Sequence, residues 1–296
     1  LGDSGTFVFA LKACSIIGAT VESQDIHTFI CMKGLETDLI ISNAIIEVYA
    51  KCGFLVESKQ LIGNVPIQST VLWNTLLAGY VEHGYNEEAL DYAEVMRSRG
   101  VPQNVVSYLY TLKSCAGFRG QKIHSEILVI GLETEIFIST SMIDMYAKCS
   151  MLIEAQIVLE KFPHRSVALW TALISGYVEH GCGKQALNCF HQMQKDGISP
   201  SAVTFVCTLK ACSLMRMADE GSNIHAEILK KGTFEEFPYV GCTLIDMYAK
   251  CGHLMKAQDV FDKLVYQDAA SWTALIQAYV EEGYASEALD CFKQMQ

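Results

Sequence analysis

The chain has 296 residues, 51% of them hydrophobic and only 5 of them proline, with 33 acidic against 22 basic side chains and a formal charge of −11. A chain of this length forms one large domain or two ordinary ones and has ample core-forming residues, which excludes a disordered tail. The acidity argues against a nonspecific nucleic-acid binder, whose affinity comes from Lys and Arg displacing counterions, and with no run of about 18 uncharged apolar residues a membrane-spanning helix is not expected.

Three segment types follow one another along the chain, three times over. Segment 4–38 carries "LKAC" to Cys14 and "IH" to His27, segment 39–69 carries "IIEVYAKC" to Cys52, and segment 70–104 carries "LWNTLLAGYVEHG" to Gly84. The order then repeats. Segment 105–135 holds "LKSC" to Cys115 and His124, 136–166 holds "MIDMYAKC" to Cys149, and 167–201 holds "LWTALISGYVEHG" to Gly181. The third cycle is 202–237 with Cys212 and His225, 238–268 with "LIDMYAKC" to Cys251, and an incomplete 269–296. Segment 105–135 is about four residues short around "SCAGFRGQKIH", by comparison with its counterparts.

Each segment reads as a helical hairpin. In 167–201 the pairs Leu169/Trp170, Leu173/Ile174 and Tyr177/Val178 recur every four residues and draw one buried stripe. Gly181 breaks that helix, Ala186, Phe190 and Met193 mark the inner face of a second, and Gly197 stands where a left-handed cap is wanted. A hairpin this short cannot bury its own apolar face, so neighbours must stack, and the fold expected is an all-α, right-handed α-solenoid. Tyr49, Tyr146 and Tyr248, and likewise Trp73, Trp170 and Trp272, then occupy equivalent core slots. The 12 cysteines are expected as small hydrophobes rather than a disulfide framework, with Cys182 exposed in a turn.

Hairpins of these lengths with "ALISGY", "LKAC…IH" and "LIDMYAKCG" signatures resemble the PLS subclass of pentatricopeptide repeat (PPR) proteins over the whole chain from Ser4. The segments match L, S and P motifs in that order, so the tract is expected in L-S-P cycles. The resemblance implies an organellar tract, mitochondrial or chloroplast and mostly of plants, that binds single-stranded RNA and positions a cytidine for C-to-U editing.

In that family the fifth residue of each unit and its last residue read one base by its Watson–Crick edge. Carried over, the reading pairs are Asn43 with Ser69, Asn74 with Asn104, Thr140 with Ser166, and Thr171 with Ser201, and Thr273 begins a fifth. The family's code implies cytosine, with uracil tolerated, for the first two pairs, adenine for the next two, and a purine for Thr273. Cys242 with Asp268 departs from the code, and Val8, Leu109 and Val206 put side chains without hydrogen-bonding groups in the reading slot of the L-like units. With RNA parallel to the protein the implied tract is C, C, any, A, A, any, any, purine. Ile40, Val71, Phe137 and Tyr239 are the implied base-flanking residues, with smaller Ala168 and Ala270 at the same position. Lys51, Lys148 and Lys250 are the implied phosphate contacts, opposed by Glu82, Glu179 and Glu281 in the P-like units, which implies modest affinity and a shallow salt dependence.

"HSE" at His124 and "HAE" at His225 mimic the H-x-E of zinc deaminases, but the chain has no C-x-x-C and the third copy reads "HTF" from His27. No metal and no cofactor is therefore expected. No nucleophile, base and oxyanion donor form a set, so no enzyme activity is expected within this stretch, and "GYVEHG" lacks the spacing of a phosphate loop. The function expected is the specificity module of an organellar editing factor, reading one base per repeat. Small organellar RNA editing-factor (MORF-like) proteins that contact L motifs are implied as partners, and the catalytic domain is expected elsewhere in a longer protein. The alternatives are a protein-binding α-solenoid scaffold, and RNA stabilisation or processing without editing.

Overall fold

The computed structural model describes residues 4–35, 38–64, 69–115, 118–163, 165–232 and 237–295. Every regular element among them is a helix. Part of the contracted turn in 105–135 lies outside the described residues.

The chain divides into two units, Leu1–Met145 and Tyr146–Gln296. The first holds α1 (Ser4–Ile17), α2 (Thr20–Met32), α3 (Leu39–Lys51), α4 (Leu55–Asn64), α5 (Thr70–Glu82), α6 (Asn86–Ser98), α7 (Val105–Ser114) and α8 (Phe118–Ile130). The division falls within α9 (Ile136–Lys148), and the second unit continues with α10 (Leu152–Lys161), α11 (Val167–Glu179), α12 (Gly183–Lys195), α13 (Ala202–Met215), α14 (Ala218–Lys230), α15 (Pro238–Lys250), α16 (Leu254–Asp262), α17 (Ala269–Glu281) and α18 (Ala285–Met295).

Within the first unit α1, α3, α5 and α7 pack each on the next, and α2, α4 and α6 each bridge their own hairpin partner and the first helix of the following hairpin. The second unit repeats the scheme with α11, α13, α15 and α17 stacked and α12, α14 and α16 bridging. Core side chains therefore come from consecutive hairpins, as the sequence requires. Trp73 is 1% exposed and stacks on Tyr92 with ring centroids 4.6 Å apart. Tyr49, Tyr146 and Tyr248 are buried, as are the "LKAC" and "LKSC" cysteines Cys14, Cys115 and Cys212, and every cysteine is free. Trp272, in the final hairpin, is only partly covered. Cys182 is half-buried rather than exposed, with its thiol 3.6 Å from the His180 carbonyl oxygen.

Two backbone features fix how closely the helices approach. Where α5 crosses α3, a Cβ on Gly79 would lie 3.0 Å from the Ala50 carbonyl oxygen and 2.9 Å from Leu55, so only glycine fits without a shift. The turn after each "YAKC" needs a left-handed residue, supplied by Gly53 and Gly252 but by Ser150 (φ 59°) in the middle copy. Among the described residues no helix is long and apolar enough to cross a membrane.

Candidate nucleic-acid interface

The last residue of a hairpin is the N-cap of the next one. Ser69, Asn104, Ser166, Ser201 and Asp268 each accept a backbone N–H in the first turn of α5, α7, α11, α13 and α17 respectively. Such caps satisfy donors that have no partner within the helix, which by itself favours Ser, Asn or Asp here. The residues assigned to base reading at the ends of units thus have a local structural duty that the sequence reading did not include, although the signal, a short polar residue before an apolar run, was visible.

Two reading pairs are brought together. Asn74 Nδ2 donates to Asn104 Oδ1 at 3.0 Å, across 30 positions of sequence. Thr171 and Ser201 meet on a shared hydroxyl, Thr204 Oγ1, at 2.7 and 2.9 Å. Other members turn elsewhere. The hydroxyls of Thr140 and Thr273 donate back to the carbonyls of Ile136 and Ala269, at 2.7 and 2.6 Å, and Asn43 has a buried Oδ1 with no hydrogen-bond partner among the described residues. The Cys242 thiol is pushed above its usual pKa by burial and then by the Asp268 carboxylate.

The flanking residues form rows on the first helices. In the first unit Ile40, Val71 and Phe137 are 65%, 70% and 68% exposed, and in the second Tyr239 is 46% exposed. Val106 and Val203 hold the same helical position in the L-like hairpins and are exposed too. The sequence reading missed them because it carried the flanking role only to S-like and P-like units. Ala168 and Ala270 are exposed but offer little surface.

The implied phosphate contacts are exposed, and two of the three are in ion pairs. Lys51 pairs with Glu47 and Lys250 with Asp246, each at 2.8 Å within one helix turn. Lys148 is exposed on α9. Glu82, Glu179 and Glu281 are exposed, and Glu179 accepts from Ser175 at 3.1 Å. Three further lysines, Lys12, Lys113 and Lys210, stand one turn after Val8, Leu109 and Val206 and are exposed. They are the K of "LKAC" and "LKSC", read in the sequence only as a signature.

Two of the "IH" histidines, among them the H-x-E residue His225, belong to the packing. His27 Nδ1 meets the Tyr49 hydroxyl at 2.7 Å and His225 Nδ1 meets that of Tyr248 at 3.0 Å, so the "IH" and "YAKC" signatures are two halves of one contact.

The chain is similar to known proteins in sequence and in fold. Segments 68–117 and 165–213 match one PPR repeat family model, and 137–167, 242–267 and 270–296 match a second model described as PPR repeat. Among curated relatives, a chloroplastic pentatricopeptide repeat-containing protein of Arabidopsis thaliana is 30% identical over 97% of this chain and 47% of its own length. A mitochondrial one from the same plant is 31% identical over 99% of this chain and 53% of its own length. The chain spans about half the length of these curated relatives. The crystal structure of maize PPR10 covers 93% of this chain and 41% of its own, with a TM-score of 0.66 at 18% identity. PPR10 has also been solved in complex with an 18-nucleotide psaJ RNA element, with the same TM-score. That likeness fixes the fold as the helical solenoid of PPR10, and with the repeat matches it follows that the chain belongs to the pentatricopeptide repeat family.

Proposed function

We propose that this chain is a PLS-type tract that binds single-stranded organellar RNA by sequence, one base per repeat, as the specificity module of a C-to-U editing factor. The observation that carries the reading is the meeting, within each unit, of reading residues from consecutive hairpins. Asn74 touches Asn104, in a hairpin whose second-position residue is the exposed Val71, and Thr171 reaches Ser201 through Thr204, in a hairpin whose second-position residue is the smaller Ala168. Two polar groups converging next to a surface on which a base can stack are what reading a splayed-out base needs. Family membership supports it, as does the RNA held by PPR10. The L-S-P organisation and the boundaries given above are part of this proposal. So is residence in a mitochondrion or chloroplast, supported by the names of the relatives.

The paired state of Lys51 and Lys250 and the charge of −11 make intrinsic affinity modest. A MORF-like protein on the L-like hairpins is proposed as the partner that raises it. The exposed Glu82, Glu179 and Glu281, at one position of the P-like hairpins, favour a second reading, a scaffold for a basic protein.

The test is a gel-shift titration of the chain against fluorescent C-C-N-A-A-N-N-A RNA and a control with C-C and A-A exchanged. Preference for the first RNA that shrinks in Thr171→Asn supports the reading. Equal binding refutes base reading, and no binding at low salt favours the scaffold.

A further inference from the structure

The Ser107 hydroxyl stands between the two residues assigned to one base, and Ser107 is fully buried. Its backbone N–H donates to Asn104 Oδ1 at 3.1 Å, and because an N–H needs an acceptor, the Asn104 amide has one orientation. Asn74 Nδ2 donates to that same oxygen at 3.0 Å, which turns Asn74 Oδ1 toward Ser107 Oγ at 2.6 Å, where the hydroxyl donates. Ser107 Oγ in turn accepts the Asn104 backbone N–H at 3.2 Å. Reversing the Asn74 amide would set two carbonyl oxygens against each other. The helix cap of α7 thus fixes the orientation of a side chain on α5.

The Asn74 oxygen is then held against the buried Ser107 hydroxyl, and the groups the pair turns away from it are N–H: one on Asn74 and two on Asn104. Cytosine presents adjacent acceptors, N3 and O2, on its Watson–Crick edge. Uracil sets an N3–H between two carbonyls, so a donor meets a donor. The pair Asn43 and Ser69 lacks this device. The residue matching Ser107 is Leu72, which has no hydroxyl, and Asn43 Oδ1 is buried without a hydrogen-bond partner among the described residues. The hydroxyl does recur at the second such junction, where fully buried Thr204 lies 2.7 Å from Thr171 and 2.9 Å from Ser201.

We propose that Ser107 is a specificity-determining positioning residue: by holding the Asn74 amide it makes that unit selective for cytosine over uracil, while the Asn43 unit accepts both. This rests on the base-reading assignment above. The test measures binding of the chain to RNAs that carry C or U at the Asn74 position, and separately at the Asn43 position, for wild type, Ser107→Ala and Ser107→Thr. Wild type is expected to prefer C at the first position, and Ser107→Ala to cut that preference by about five- to tenfold, the worth of one hydrogen bond. Ser107→Thr should restore it, and the C/U ratio at the Asn43 position should not move in any variant. A purely structural role would weaken all the RNAs alike. If Ser107→Ala melts below the assay temperature, Ser107→Cys, with a weak S–H donor in the same volume, takes its place under the same expectation. An unchanged C/U ratio in a folded variant overturns the proposal and leaves the base-reading assignment standing. Wild type indifferent to the base at both positions defeats that assignment, and this proposal with it.

Discussion

His225 and Tyr248 share a hydrogen bond: the imidazole Nδ1 and the phenol oxygen are 3.0 Å apart, and the hairpin carrying one is packed on the hairpin carrying the other. Burial pushes the phenol up, so it keeps its proton. Burial also holds the imidazole below its ordinary value of 6.5, helped by the nearby Lys263 and Lys256 charges, so it stays neutral. Since the folded pKa lies below the unfolded one, the stabilisation is complete above about pH 6.5 and is lost as pH falls through the folded value. Melting temperature should therefore fall between about pH 7.5 and about pH 5.5. His225→Gln keeps an acceptor but cannot titrate, and should flatten that fall. The same pH profile in both proteins would show that His225 does not carry the effect.

Arg216 adopts φ 51° after α13, where the equivalent residue after α1 is Gly18 at φ 67°. A left-handed conformation costs a residue with a Cβ about 1 kcal/mol relative to glycine. Arg216→Gly should raise stability by roughly 0.5–1 kcal/mol, read by urea denaturation, because the turn geometry is already that of its glycine counterpart. A lower denaturation midpoint would mean that the arginine side chain holds the turn through interactions worth more than the strain.

The repeat lengths and the apolar stripes made the helices and their stacking legible, because a short hairpin has one way to hide a stripe: against its neighbour. The Tyr49, Tyr146 and Tyr248 slot was readable for that reason. Hydrogen-bond partners were not. His27 and Tyr49 are 22 positions apart and belong to different signatures, so nothing in either octet names the other. The same limit hid Ser107, which reads in sequence as an ordinary polar residue in a helix start but lies 2.6 Å from an oxygen 33 positions earlier. The carboxylates facing Lys51 and Lys250 were legible in principle, since Glu47 and Asp246 lie at the four-residue spacing of a helical ion pair.

The cysteines divide by environment. Burial pushes Cys189 and Cys212 up to about 12, so at pH 8 the thiolate fraction is on the order of one in ten thousand. Cys31 is exposed. Under native conditions iodoacetamide should modify Cys31 first and leave Cys189 and Cys212 untouched, with both reacting in denaturant. Mass spectrometry of the digested protein reads this directly, and early modification of Cys212 would contradict its place in the core.

The ion pairs within α3 and α15 bear on affinity for RNA. At 2.8 Å from Glu47, the Lys51 ammonium must give up a carboxylate before it can meet a phosphate, and Lys250 must do the same with Asp246. Exposed pairs of this kind are worth about 0.3–0.5 kcal/mol to the helix, so Glu47→Gln with Asp246→Asn should cost little stability. The freed lysines should tighten RNA binding several-fold at low salt and steepen the slope of log affinity against log salt by up to about 0.7 for each additional phosphate neutralised. Tighter binding without a steeper slope would point to relief of general repulsion by the acidic surface rather than to lysines seated on phosphates. No change in either would place Lys51 and Lys250 away from the RNA and shift attention to Lys12, Lys113 and Lys210, which stand one turn beyond the L-like reading slots and, among the described residues, are in no salt bridge.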